Sequence, residues 1–228
     1  MTQTVQIKAS DGHSFSAYMA GEKGPGIVIA HEIFAVNASM RAVANWLAQQ
    51  GFRVAVPDLF IRQGSTRELD PALEEDRNVG MGLLRGLNED LAVSDLLATV
   101  DYLKSTGTEE GVAVVGYCMG GKLAYLTATK AAVPGVSYYG VGIEAVLNLN
   151  SQLKAPVLLH LPVEDTLCLP DCQARIKAAL VDNPLVSISS HEGVGHAFAR
   201  RNSPAFVAGA AEVADAQSIV FVMKSLAG

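Results

Sequence analysis

Short, wholly apolar runs separated by helix-length stretches constrain this chain more than any other feature. Gly26 to Ala30 reads GIVIA between Pro25 and His31, with no polar residue at alternate positions. A strand of that kind must be covered on both faces, the condition of a parallel sheet with helices above and below. Ser39 to Gln50 follows, with Met40, Val43, Ala44 and Leu47 at helical spacing and Gly51 as a stop signal. The rhythm recurs. Arg53 to Val56, Gly111 to Val115, Gly135 to Tyr139, Val157 to Leu161 and Leu185 to Ser189 are expected strands. Met119 to Lys130, Asp171 to Val181 and Ala205 to Leu226 are expected helices, as is a stretch capped by Asn88 and ending before Gly107. Asp70-Pro71 is expected to cap and begin another helix, since a proline at the first helical position lacks only an N–H that would have no partner there. Ahead of these, Val5 to Lys8 and Phe15 to Met19 suggest a hairpin around Asp11-Gly12. Strands alternating with helices imply α/β architecture with a mostly parallel, doubly wound central sheet flanked by helices. No Ser/Gly/Pro-rich linker divides the chain, so residues 1–228 are expected to form a single domain.

Charge and composition narrow the function. Lys+Arg 17 against Asp+Glu 23 gives a net charge of −6, which argues against nucleic acid as a partner, because phosphate binding is driven by clustered cations. A hydrophobic fraction of 50% excludes disorder. The longest run free of Asp, Glu, Lys and Arg, Ala131 to Ile143, has 13 residues, short of the roughly 20 a spanning helix needs, so no membrane partner is expected. Met1 to Ser10 has no apolar core of a signal peptide, and the three cysteines offer no even disulfide framework. A cytoplasmic, reducing compartment is the expectation.

The chemistry concentrates where Val112 to Val115 runs into Gly116-Tyr117-Cys118-Met119-Gly120-Gly121, followed at once by a helix-forming stretch. A nucleophile at the centre of so sharp a strand-to-helix turn sits in strained backbone, and flanking glycines remove collisions with neighbouring strand and helix. The helix N-terminus behind Cys118 favours negative charge on a thiolate or oxyanion, and the Met119 N–H is a natural oxyanion donor. A plain glycine-rich turn around a buried, inert cysteine is the competing reading. Neither the GxxxxGK[ST] nor the GxGxxG phosphate pattern is present.

An α/β-hydrolase site places its acid and base after the nucleophile, each on a loop beyond a strand. Asp165, in PVEDT, and His196, in GVGHAFAR, have that order and placement. His196 would take the thiol proton while Asp165 holds the imidazole by its other nitrogen. An unperturbed cysteine is only about 3% thiolate at neutral pH, so such help matters. His31, His160 and His191 are rival bases. His160 lies within an apolar strand and reads as a satisfied core residue, and His191, before Glu192 at a strand end, is expected to face solvent.

HEIFAVN at His31 to Asn37, GYCMGG at Gly116 to Gly121, YYGVG at Tyr138 to Gly142 and GHAFAR at Gly195 to Arg200 together resemble the dienelactone hydrolase (carboxymethylenebutenolidase) family, from near residue 11 to at least Ala210. The resemblance implies the α/β-hydrolase fold and hydrolysis of 4-carboxymethylenebut-2-en-4-olide to maleylacetate in bacterial breakdown of chlorocatechols and related aromatics. It implies a triad of Cys118, Asp165 and His196, with Glu32 as a further carboxylate that holds the thiol and helps ionise it once substrate arrives. Arg77 and Arg200 become the substrate-carboxylate ligands, and the backbone N–H of Ile33 the second oxyanion donor. Guanidinium suits that task, since its planar fork grips a carboxylate bidentately. Read without the family, Arg77 belongs to the mixed charge run Glu74-Glu75-Asp76-Arg77, and Arg200-Arg201 to a surface pair.

The sequence departs from the family pattern at Met81 and Leu84, where aromatic side chains are usual, and at Ala197, where a hydroxyl residue follows the histidine. A broader carboxylesterase or thioesterase acting on small anionic esters, and a catalytically silent hydrolase-fold binding protein, are the alternatives. No cofactor or metal is called for: Cys168 and Cys172 form a C-x-x-x-C pair without a second ligand pair nearby, and packing is their expected role. The expected partner is a small anionic lactone, bound by a monomer. At 228 residues the chain covers a hydrolase core with no separate lid domain.

Overall fold

A computed structural model describes residues 2–65, 67–108 and 110–227. Eight strands form one mixed sheet: β1 (Thr2–Lys8), β2 (Ser14–Ala20), β3 (Gly26–Ala30), β4 (Arg53–Pro57), β5 (Val112–Tyr117), β6 (Gly135–Tyr138), β7 (Val157–Pro162) and β8 (Val186–His191), in the order β1-β2-β4-β3-β5-β6-β7-β8. Pairing is antiparallel from β1 through β2 to β4 and parallel thereafter. The helices are α1 (Ala38–Gln49), α2 (Glu74–Gly86), α3 (Glu89–Ser105), α4 (Met119–Lys130), α5 (Pro170–Leu180) and α6 (Ala208–Ala227).

The apolar runs explain the layering. Every residue of β3, β4, β5, β6 and β7 is buried. Successive side chains on a strand point to opposite faces, so GIVIA feeds two cores at once. Ile27 and Ile29 pack with Met40, Val43 and Leu47 of α1 and Val222 of α6. Val28 and Ala30 pack with Leu96 and Val100 of α3 and Leu123 of α4. Each such side chain withdrawn from water is worth about 1.5–3 kcal/mol, which makes this two-sided burial the main source of cohesion.

Local signals set the helix ends. Asn37 caps α1 by accepting the Met40 N–H at 3.1 Å, and Asn88 caps α3 by accepting that of Leu91 at 3.0 Å. The expectation at Asp70-Pro71 is corrected. Asp70 accepts the Ala72 N–H at 2.8 Å and its carbonyl accepts that of Leu73 at 3.1 Å, forming a turn, and α2 starts only at Glu74. The Asp76 carboxylate reaches back to the Asp70 N–H at 2.7 Å, so the segment before the helix is held by side chains rather than by helical bonds. Among the described residues, no helix is long and apolar enough to cross a membrane.

Candidate active site

Strand register brings the site together. Ala30 of β3 lies opposite Gly116 of β5, so Glu32 and Cys118 each stand two residues beyond the same rung. Gly120 tightens the approach: a methyl group there would run into the carbonyls of Ala30 and His31, so only glycine lets α4 begin against the end of β3. Tyr139, Asp165 and His196 follow the C-terminal ends of β6, β7 and β8, and parallel α/β sheets build their sites at that edge.

Cys118 occupies the elbow with φ 57° and ψ −119°, a conformation that strains any residue bearing a Cβ. Its N–H donates to the Tyr138 carbonyl at 3.0 Å, and its own carbonyl accepts the N–H groups of Gly121 at 3.0 Å and Val141 at 3.2 Å, which hold the strained turn. A side chain at Gly116 would overlap the Gly120 carbonyl. Met119 opens α4 directly after the thiol. The Met119 side chain lies in one apolar cluster with Ile33, Ala35, Phe60 and Leu84, so α2 covers the turns that carry both expected oxyanion donors.

His196 Nδ1 lies 3.0 Å from Asp165 Oδ2 and 3.2 Å from Oδ1. Burial works against the imidazolium, but the Asp165 hydrogen bond and the nearby Cys118 sulfur outweigh it and push the His196 pKa up to about 10. Its Nε2 is buried and makes no hydrogen bond of ordinary geometry. Cys118 is nonetheless close enough that a thiolate there would stabilise the ring as an ion pair.

Glu32 is fully buried, and its Oε2 accepts Arg200 Nε at 2.6 Å while Oε1 has no partner. Burial opposes the Arg200 charge, yet Glu32 more than offsets it and keeps the guanidinium ionised above a Phe34 ring 5.1 Å away. Arg77 is placed differently. It is exposed on α2, and its Nη1 donates to the carbonyls of Pro71 at 2.8 Å and Ala72 at 3.1 Å. Among the described residues no hydrogen bond or ion pair joins it to Cys118, Glu32 or Arg200, although Gly80, one turn further along α2, packs on the Ile33 carbonyl.

The rival histidines are committed elsewhere. His31 accepts the Leu59 N–H on Nε2 at 3.0 Å, which leaves Nδ1 to donate to the Glu32 carbonyl at 2.6 Å and fix the turn that carries Glu32. Burial lowers the His31 pKa to about 4, so the ring stays neutral. His160 is a satisfied core residue, bonded to His191 and to Ser218, each at 2.9 Å. His191 does not face solvent. It is 6% exposed, packed against Phe198, because the β7–β8 pairing turns it inward onto His160.

Tyr139 was not singled out by sequence reasoning. It is buried with φ 41°, its ring meets His196 edge-on at 4.9 Å, and its hydroxyl has no partner. Burial and then Glu32 hold that phenol well above the usual range, so it remains a neutral donor. The Tyr138-Tyr139 doublet ahead of Gly140 is its sequence signal.

A thiol on a strand-to-helix elbow, at the C-terminal edge of a mostly parallel sheet and near an Asp–His pair, defines the α/β-hydrolase class. Residues 14–226 match the Dienelactone hydrolase family, and the chain belongs to it; it is a hydrolase of carboxylic esters and lactones. The carboxymethylenebutenolidase of Pseudomonas putida is 37% identical over 227 residues, 97% of this chain and 96% of that protein. Carboxymethylenebutenolidase 1 of Cupriavidus pinatubonensis is 32% identical over 224 residues, 96% of this chain and 95% of that one. The crystal structure of the α/β hydrolase GrgF from Penicillium superposes with a TM-score of 0.74 at 12% identity, covering 100% of each chain. A dienelactone hydrolase-like promiscuous phosphotriesterase from metagenomic libraries gives 0.75 at 17% identity, covering 98% of each chain.

Proposed function

We propose that the chain hydrolyses dienelactone, 4-carboxymethylenebut-2-en-4-olide, to maleylacetate in the catabolism of aromatic and chloroaromatic compounds, with Cys118 as nucleophile. The Asp165–His196 pair, with a buried and unpartnered Nε2 near Cys118, is the observation that carries the reading. The Cys118 sulfur, its proton taken by His196, attacks the lactone carbonyl carbon. The N–H groups of Ile33 and Met119 hold the oxyanion, and the ring C–O bond breaks on collapse. The leaving enol oxygen takes that proton from the His196 imidazolium and the enol ketonises; water then attacks the thioester, giving a proton to the now neutral His196, and on collapse the sulfur leaves and takes it back as the thiol.

Arg200 takes the substrate carboxylate, and the incoming anion competes with Glu32 for it. Glu32 freed from that bond turns its carboxylate toward the Cys118 thiol and relays its proton, so that His196 receives it only once substrate has arrived. Arg77, three residues before Gly80 on α2, supplies a second cation once it leaves the Pro71 and Ala72 carbonyls. A wider ester specificity is favoured by one observation: Arg77 is engaged by its own turn, so anion recognition rests first on Arg200. The substrate meets a single copy of the chain, in the cytoplasm.

Steady-state assay of cis- and trans-dienelactone beside a neutral aryl ester tests the reading. Preference for the lactones supports it; turnover of the ester alone selects a general esterase, and binding without turnover selects a silent homologue.

A further inference from the structure

One cluster of reactive side chains takes no part in this chemistry. Cys168, just before α5, and Cys172, in its first turn, place their sulfurs 2.8 Å apart. Glu144, from the short 3₁₀ segment Ile143–Ala145, brings its carboxylate to the same point, and the three donor atoms lie within 4.8 Å of one another. The Glu144 Oε2 is buried and has no hydrogen-bond partner. Both cysteines are free thiols.

We propose that Glu144, Cys168 and Cys172 bind a thiophilic divalent d¹⁰ cation, Zn²⁺ or Cd²⁺, through two thiolates and one carboxylate, with water in the fourth position. Two sulfur ligands favour such soft ions over Mg²⁺ or Ca²⁺, and four-coordination leaves one place open on the half-exposed Cys172 side. Tetrahedral coordination at Zn–S of roughly 2.3 Å requires sulfurs about 3.8 Å apart, so the pair must separate by about 1 Å, a small side-chain rotation. A thiol is mostly protonated at neutral pH, so binding releases two protons to solution, one from each cysteine, as two S–metal bonds form.

The ion would fasten the Ile143–Ala145 segment to the loop that carries Asp165, whose Oδ1 accepts the Leu167 N–H at 2.8 Å one residue before Cys168. That loop is already held by Gln173, which donates to the carbonyls of Pro162 at 2.8 Å and Cys168 at 2.9 Å. The cation thus acts as a clamp behind the acid of the site.

The test titrates the 228-residue chain, kept under a phosphine reductant, with Cd²⁺ and then displaces it with Zn²⁺. One Cd²⁺ per chain, a thiolate-to-cadmium charge-transfer band and release of two protons are expected. The band should persist in Cys118→Ser, vanish in the Cys168→Ser/Cys172→Ser double variant, and form with affinity about tenfold or more weaker in Glu144→Gln. Should the double variant misfold, Cys172→Ser alone, with an unchanged far-ultraviolet dichroism spectrum, must lose at least half the band. Absence of the band, its loss in Cys118→Ser but not in the double variant, or a Cys168–Cys172 disulfide in the reduced protein would overturn the proposal.

Discussion

Glu32 and Arg200 share a 2.6 Å ion pair across 168 positions of sequence, joining the turn after β3 to the loop after β8. The carboxylate is fully buried, so removing its partner leaves an uncompensated charge in the interior. Arg200→Ala should therefore cost about 3–5 kcal/mol in urea denaturation at neutral pH. Glu32→Gln added to it should restore most of the loss, because the stranded charge is then gone. An unchanged midpoint in the single variant would show that the pair does not hold the two loops.

Cys118→Ala should abolish lactone hydrolysis while leaving the far-ultraviolet spectrum intact. Cys118→Gly should be equally inactive yet more stable than the alanine variant by about 1–3 kcal/mol, since glycine relieves the strain of φ 57°. Equal stability of the two would refute stored strain at the elbow.

Asp165→Asn should lower kcat by about 10²–10⁴-fold while leaving the far-ultraviolet spectrum intact. The amide keeps the shape of the carboxylate but no longer supports the imidazolium, and can hold the ring in the wrong tautomer.

The histidines give stability a limit on each side of neutrality. His31 has a folded pKa of about 4 against 6.5 unfolded, so the unfolded chain binds the extra proton, and stability is lost as pH falls from about 6.5 toward 4. The loss from this residue is about 3 kcal/mol at most. His196 has the opposite sign. Its folded pKa is raised to about 10, so its contribution is fully present below about 6.5 and is lost as pH rises through 10. In denaturation across the pH range, His31→Gln should flatten the acid limb and His196→Gln the alkaline one.

Arg77→Ala should change stability by less than about 0.5 kcal/mol, because the residue is exposed and bonds only to its own turn. If it binds the substrate carboxylate, KM for dienelactone rises while hydrolysis of a neutral aryl ester is unaffected. Equal KM values would remove Arg77 from the site.

Sequence alone determined the layered fold, because GIVIA and its counterparts can be buried only inside a sheet covered on both faces, and period-two alternation then assigns each residue to one of two cores. It determined the elbow as well, since Gly116, Gly120 and the following helix are local in the chain. Long-range contacts decided the rest. His191 read as a solvent-facing strand end, and only the pairing of β8 with β7 turned it onto His160. Asp70-Pro71 read as a helix start, and the return of Asp76 made it a turn. Glu144 lies 24 residues before Cys168, and no spacing rule connects them; packing of the 3₁₀ segment against α5 brings the carboxylate to both thiols. Local patterns follow from steric and hydrogen-bonding limits within a few residues, whereas the partners of a buried charge depend on which strands lie side by side.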